Sequence, residues 1–327
     1  MQPVLSVRNM GVSLRTRQGV MQITDDVSFD LAPGERLGVV GESGCGKSVT
    51  GLALLRLMPR HITSVTGQVL LDGEDLVKMP ERHMRRVRGR RMAMIFQEPM
   101  SALDPVFTVG QQIGEAIRTH FGAGKAEARE RAVDLLDRVG IPDPERRHDE
   151  YPHQLSGGMR QRAMIAIALA CQPDVLIADE PTTALDVTIQ AQIIDLLLRL
   201  SEEAGTALIF ITHDIGVVAE TCHRVLTMYL GQVVEDAPTD RVLVRPRHPY
   251  TSGLMRSLPK LSGWKEPLQS IPGRVPSLTA IPPGCRFAPR CAYAEAACIQ
   301  PQAILARNGR RVRCRREAEL HLKGTLS

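Results

Sequence analysis

The chain has 327 residues, 43% hydrophobic and 24% charged, which is ordinary for a soluble globular protein and enough to bury a sizeable core. No stretch approaches the roughly 20 apolar residues of a membrane-spanning helix, and Met1-Gln2-Pro3-Val4 lacks a secretion signal's basic-then-apolar pattern, so a cytoplasmic protein is expected, any membrane role coming through a partner. The net charge of +5 is local: residues 285–327 hold nine Arg or Lys against Glu295, Glu317 and Glu319, and with aromatics at only 3% no direct nucleic-acid contact is expected.

The first forty residues read as strands and turns. Val4-Leu5-Ser6-Val7 and Gly11-Val12-Ser13-Leu14 suggest two short strands, residues 26–31 alternate with period two, and Pro33-Gly34 marks a turn. Leu37-Gly38-Val39-Val40 is a buried-strand run that ends in Gly41-Glu42-Ser43-Gly44-Cys45-Gly46-Lys47-Ser48. That octet fits the phosphate-loop pattern G-x-x-x-x-G-K-[ST]. Its glycines let backbone N–H groups face phosphates, Lys47 adds charge near the β- and γ-phosphates, and the Ser48 hydroxyl can ligate Mg²⁺. The octet follows an apolar strand and opens a helical run from Val49 to Leu57, the context that makes nucleotide binding the expected reading.

Further along, the densely basic residues 82–91 read as an exposed helix and loop, and residues 92–96 as a strand. Residues 108–140 carry helical patterns broken at Gly122 and Gly124 and closed by Gly140-Ile141-Pro142. In Leu155-Ser156-Gly157-Gly158-Met159-Arg160-Gln161-Arg162, Ser156 and the paired glycines stand where a helix should begin. Exposed N–H groups and a hydroxyl at a positive helix end call for an anion. The chain's own loop already holds one, so a second copy or homologue would present its nucleotide there.

A helix from 157 to about 170 follows, then the run Val175-Leu176-Ile177-Ala178-Asp179-Glu180, with two carboxylates at a strand end. Asp179 would help hold Mg²⁺ through its water shell, and Glu180 would orient or deprotonate the attacking water. An amphipathic helix over 186–204 and an apolar strand over 207–211 complete an alternation that argues an α/β domain with a largely parallel sheet. After about residue 245 prolines become frequent, which predicts a loop-rich appendage over 246–327 beside a domain over 1–245. Ending it, Cys285, Cys291, Cys298 and Cys314 are spaced C-x5-C-x6-C-x15-C, unlike the short zinc-finger or common ferredoxin spacings. Four thiolates suit Zn²⁺ or a [4Fe–4S] cluster, free buried thiols being the other reading, and nearby arginines are expected to lower the thiol pKa values. Because the cysteines and Lys47 fall in different expected domains, Cys291→Ser is expected to destabilise residues beyond about 280 while leaving ATP binding at Lys47 largely unchanged.

Phosphate loop, Gln97 after a strand, the stretch from Leu155, Asp179-Glu180, Ala184-Leu185-Asp186 and His213 occur in the order and spacing of an ABC-type ATPase, which residues 1–240 therefore resemble. The resemblance implies a P-loop (RecA-like) core, an antiparallel β subdomain, a helical subdomain over about 98–170 and a small cysteine-containing appendage. It implies that Gln97 senses Mg²⁺ and the γ-phosphate, that Asp186 crosses a dimer interface, and that His213 contacts the γ-phosphate. It also implies an aromatic residue against adenine, where this chain has Leu14.

Residues 96–105 from Phe96 to Pro105, Arg247-His248-Pro249-Tyr250-Thr251 and the tail around Cys285 and Cys291 look like the oligopeptide/dipeptide branch, which also serves nickel and other small solutes. That resemblance implies import of peptides or related solutes with two transmembrane permease subunits, an extracytoplasmic solute-binding protein and a second, homologous ATPase. The chain would lie on the cytoplasmic face of the plasma membrane, and the resemblance favours [4Fe–4S] in the tail over zinc. The opposed reading, a soluble ABC ATPase clamping nucleic acid or ribosomes, calls for long coiled coils or two ATPase units in one chain, and neither is present.

Overall fold

The computed structural model describes residues 2–17, 19–183, 186–257 and 271–325, which fall into two compact units. The first is built mainly from Lys78–Ile209. The second combines Leu5–Leu31 and Arg36–Val77 with the described residues from Phe210 onward. Ala184 and Leu185 lie outside the described residues, and no described helix is long and apolar enough to cross a membrane.

In the first unit, strands Met92–Ile95 and Val175–Asp179 pair in parallel and every residue of both is buried, as expected of short all-apolar runs. The helices begin and end where local chemistry dictates. Thr108 and Gln111 form a reciprocal capping box at the head of Val109–Phe121, and Gly122 closes that helix in the left-handed conformation. Lys125–Arg138 then packs Ala128, Ala132 and Leu136 inward, and Ser156 caps Gly157–Leu169. The long helix Val187–Ala204 buries Ile193, Leu196, Leu197 and Leu200 and stops at Gly205.

The second unit holds two sheets. The two short N-terminal strands expected from sequence are one strand, Leu5–Thr16, carried through register shifts with Asn9 in the left-handed region; the local polar break is absorbed as an irregularity. It lies between Gly19–Leu31 and Thr63–Leu71, antiparallel to both, and Glu74–Asp75 edges the sheet. The other sheet runs in the order 305–307, 310–312, 232–238, 224–229, 36–40. Arg36–Val40 is parallel to Arg224–Tyr229, and the rest pair antiparallel.

The loop-rich tail thus supplies two strands, Leu305–Arg307 and Arg310–Val312, to a sheet begun 270 residues earlier by the strand that enters the phosphate loop. It also lacks a core of its own. Phe287 packs edge-on to Tyr229 at 5.2 Å and against Tyr250 at 5.3 Å, in a cluster with Leu230, Val234, Cys285 and Cys291. Three of the chain's ten Tyr and Phe rings meet here, so apolar burial against strands Arg224–Tyr229 and Gln232–Pro238 holds the tail down, whatever the cysteines add.

Candidate functional site

The phosphate loop is shaped by glycines that no other residue could replace without movement. Gly41 has φ 155°, and a Cβ there would lie 2.2 Å from the Met228 carbonyl oxygen; Gly46, at φ 100°, heads the helix Lys47–Leu54. The Lys47 ammonium is buried and donates to the carbonyls of Gly41 at 2.8 Å and Glu42 at 3.2 Å, so its charge sits inside the loop. Ser43 and Gly44 are exposed on the rim, Ser48 and Val49 are half-buried in the first helical turn, and Cys45 is buried, its thiol pushed up by desolvation. A loop with exposed rim amides around an embedded cation is chemically suited to phosphates.

Two residues from outside the loop hold it. The Glu42 N–H donates to Tyr250 Oη at 2.7 Å. Arg290 spans the Glu42 carboxylate with both guanidinium nitrogens, at 2.7 and 3.0 Å, and donates through Nε to the Pro272 carbonyl at 2.9 Å. That fork raises the Arg290 pKa above its ordinary value. Arg290 is adjacent to Cys291. The tail therefore touches the phosphate loop directly. Sequence had marked the stretches around Tyr250 and Arg290 as family features without a role, because nothing local to either reveals a contact with residue 42.

In the first unit, Gln97 donates to the Glu180 carboxylate at 3.1 Å, and the Thr183 hydroxyl donates to the same oxygen at 2.9 Å. Glu180 has φ 45°, a left-handed backbone that costs a non-glycine residue about 1–3 kcal/mol and is held by a turn, Thr183 N–H to Glu180 carbonyl at 3.2 Å. Sequence gives Gln97 and Glu180 separate roles; here they are hydrogen-bonded, and Thr183 is an addition. Asp179 is buried at the strand end, while Glu180 is only half-buried.

Ser156 Oγ accepts from the Met159 N–H at 3.3 Å, an ordinary cap, leaving Gly157 exposed at the helix start with open space where a Cβ would be. Gly158 is half-buried against Ile189, and Asp186 is exposed immediately before Val187–Ala204. In the second unit, exposed His213 precedes Asp214, whose carboxylate caps Ile215–Thr221 by accepting from Gly216 and Val217. Leu14 is half-buried on Leu5–Thr16, opposite Met21 and Thr63.

Cys285, Cys291, Cys298 and Cys314, separated by up to 29 positions, line one cavity of about 20 Å³ with His248, Phe287 and Arg316. Space of that size admits about one water-sized occupant. Among the described residues no group of three or more His, Cys, Asp or Glu side chains stands at metal-ligand geometry, so the thiols share a cavity without forming a closed cage. The pKa values of Cys285, Cys291 and Cys314 rise instead of falling as expected. Burial pushes Cys285 and Cys291 up and takes Cys314 to about 11, with the other three cysteines adding to the rise at Cys314; Arg313 at Cys285 and Arg316 at Cys291 act oppositely but more weakly. Burial disfavours the thiolates of Cys285, Cys291 and Cys314, and a thiophilic cation would stabilise them, although the four side chains as placed do not form a donor set.

The chain matches the family model described as "ABC transporter" over residues 24–183 and that described as "Oligopeptide/dipeptide transporter, C-terminal region" over residues 234–298. It is 52% identical over 313 residues to the "Putative peptide import ATP-binding protein" of Brucella abortus (strain 2308), covering 95% of this chain and 94% of that one. A similarly named protein of Brucella melitensis biotype 1 is 52% identical over 309 residues, covering 91% of each. Among solved structures it is similar to the ATP-binding cassette MJ0796, seen as a dimer in a post-hydrolysis state bound to ADP and Pi. The TM-score is 0.64 and the identity 26%, over 72% of this chain and 98% of that chain. It is also similar to cbiO1 of Clostridium perfringens, part of the ABC transporter complex cbiONQ, with TM-score 0.61 and 27% identity over 74% of this chain and 91% of that chain.

Proposed function

The chain belongs to the ATP-binding subunits of ABC transporters, in the branch with the oligopeptide/dipeptide C-terminal region, and from that membership we propose that it hydrolyses ATP to power import of peptides or closely related solutes. The observation that carries the reading is the Lys47 ammonium embedded in a glycine-shaped phosphate loop. In this reading residues 41–49 hold the nucleotide, Lys47 meets its terminal phosphates, and Ser48, Gln97 and Asp179 are the Mg²⁺ positions. The metal supplies charge neutralisation on the phosphate oxygens.

Glu180, fixed by Gln97 and Thr183, orients the attacking water and takes its proton, and His213 steadies the γ-phosphate. Ser156, Gly157, Gly158 and Asp186 serve the nucleotide of a second ATPase, a homologue rather than an identical copy. The exposed glycine at the helix start and the exposed Asp186 support that placement. Two permease subunits and an extracytoplasmic solute-binding protein complete the importer, with this chain peripheral on the cytoplasmic face of the plasma membrane.

The tail is read as a metal-stapled module in which Cys285, Cys291, Cys298 and Cys314 hold [4Fe–4S], with Zn²⁺ the alternative that suits the small cavity better. Such a group would bind the four sulfurs as thiolates, with release of their protons, and would offset the thiolates' negative charge. Anaerobically purified protein is expected to contain about four iron and four sulfide per chain; stoichiometric zinc would reassign the site, and metal-free protein would end the metal reading.

For the ATPase, Glu180→Gln is expected to bind ATP as the parent does while losing turnover by about 100-fold or more, and parental turnover would remove Glu180 from its role. In vesicles reconstituted with the permeases, ATP-dependent uptake of labelled peptide supports the solute class, and uptake of nickel without peptide overturns it.

A further inference from the structure

The tail builds a second cavity, of about 520 Å³, beside the strand Gln232–Pro238. The helix Thr239–Val244 and the hairpin of Leu305–Arg307 with Arg310–Val312 contribute its walls, and it shares no residue with the phosphate loop. Arg241, Arg245, Arg247, Arg307 and Arg310 line it, against Glu317 as the one carboxylate among the described lining residues.

Most of these guanidiniums are anchored by neutral groups, which position a cation without neutralising it. Arg310 donates to the carbonyls of Arg245 at 2.6 Å and Arg241 at 3.1 Å, and Arg241 donates to the Asn308 carbonyl at 2.6 Å. Arg247 donates to the Glu317 carbonyl at 3.0 Å. The ion pairs are long: Glu317 lies 3.8 Å from Arg247 and 3.6 Å from Arg307, and Glu235 lies 3.9 Å from Arg310. Arg310 is held below its ordinary pKa by burial; Glu235 acts against that, while Arg247 and Arg241 add repulsion. Five guanidiniums, three of them anchored by carbonyls, stand against Glu317 in the lining with Glu235 and Asp240 nearby, which makes a cradle short of anion.

Carboxylate ligands would satisfy single forks, but the charge surplus and the planar donors suit phosphate oxygens, which take guanidinium bidentately. The volume lies within the range of small-molecule pockets, about 300–1,000 Å³. Leu305, Val312 and Ala318 form an apolar wall suited to an organic portion, and among the described residues no aromatic ring lines the cavity to stack the bases of a nucleic-acid strand. We propose that this cavity is a ligand site distinct from the phosphate loop, which takes a small phosphate ester carrying two or more phosphate groups, of the nucleoside polyphosphate class.

The test uses the full chain carrying Lys47→Ala, so that the phosphate loop is disabled, and titrates ADP, pyrophosphate and phosphatidylserine vesicles calorimetrically. ADP is expected to bind with one-to-one stoichiometry and more tightly than pyrophosphate, because only ADP uses the apolar wall. Adding Arg241→Glu and Arg307→Glu, two exposed positions, should weaken ADP binding about tenfold or more, while in the chain with Lys47 intact these two changes leave ATP hydrolysis at the parental rate. No saturable ADP binding up to about 1 mM, or binding that the arginine changes leave untouched, would overturn the proposal. Binding to the vesicles with none to ADP would overturn it too, since the arginines would then be a membrane-facing surface.

Discussion

Arg290→Ala removes a side chain only 5% exposed from a Glu42 carboxylate that is 28% exposed. Two charge-assisted hydrogen bonds are lost, and bonds to charged groups are worth about 1.5–3 kcal/mol. Stranding a fully buried charge would cost about 3–5 kcal/mol, but water reaches Glu42, so a net loss of about 2 kcal/mol is the working figure. Glu42 sits inside the phosphate loop, and its N–H is still tied to Tyr250, so the loop loosens rather than detaches. If the whole loss fell on the nucleotide-ready loop, ATP affinity would drop about 30-fold; part of it will instead appear as a lower midpoint for unfolding of the tail.

The assay is a double-mutant cycle of Arg290→Ala with Glu42→Gln, read by ATP titration and by denaturant unfolding. A coupling of about 1–2 kcal/mol is expected in the summed readouts. Arg290→Lys should not rescue it, because an ammonium keeps the charge but lacks the fork. Additivity within about 0.5 kcal/mol, with ATP affinity at the parental value, would refute the idea that the tail braces the loop.

Gly110 stands in the first turn of Val109–Phe121, where a Cβ would lie 2.0 Å from the ring of buried His148. Gly110→Ala is therefore expected to destabilise the first unit by about 1–3 kcal/mol, measurable as a lower urea midpoint with unchanged slope. Cys45, Cys171 and Cys222 are buried with raised pKa values, Cys222 to about 11, so brief alkylation of native protein at pH 8 should leave all three unmodified in peptide mass maps. The tail thiols should become reactive only after chelation if they hold a metal, and labelling that chelation does not change would count against one. Leu14→Tyr is expected to tighten ATP binding by about 1 kcal/mol or more through base stacking, and unchanged affinity would move the adenine platform elsewhere. Ser156→Arg should impair hydrolysis in the assembled importer but spare ATP binding by the isolated subunit; equal loss in both would argue against a shared site.

What sequence alone determined was whatever a few consecutive residues can enforce. Glycines at 41, 44 and 46 dictate the turns of the phosphate loop, Ser156 dictates a helix start, and Gly122 and Gly205 dictate helix ends. Runs such as 175–178 and 207–211 declare buried strands because all their side chains must leave water. The tertiary structure alone decided which distant groups meet. Arg290 and Glu42 are 248 positions apart, and Tyr250 and Glu42 are 208 apart. Neither contact leaves a periodic or spaced trace, because each needs only that a helix or turn distant in sequence be packed beside the loop.

The same holds for the five arginines of the second cavity, which sequence showed as an undifferentiated basic tail and a few scattered residues before it. Their convergence depends on the hairpin of residues 305–312 adding to Gln232–Pro238, and those three-residue strands are too short to announce themselves. The cysteines fall between the two cases. Their crowding over 30 positions was visible, but the rise in the pKa values of Cys285, Cys291 and Cys314 followed from burial, a property no single stretch of chain possesses before it is packed against another.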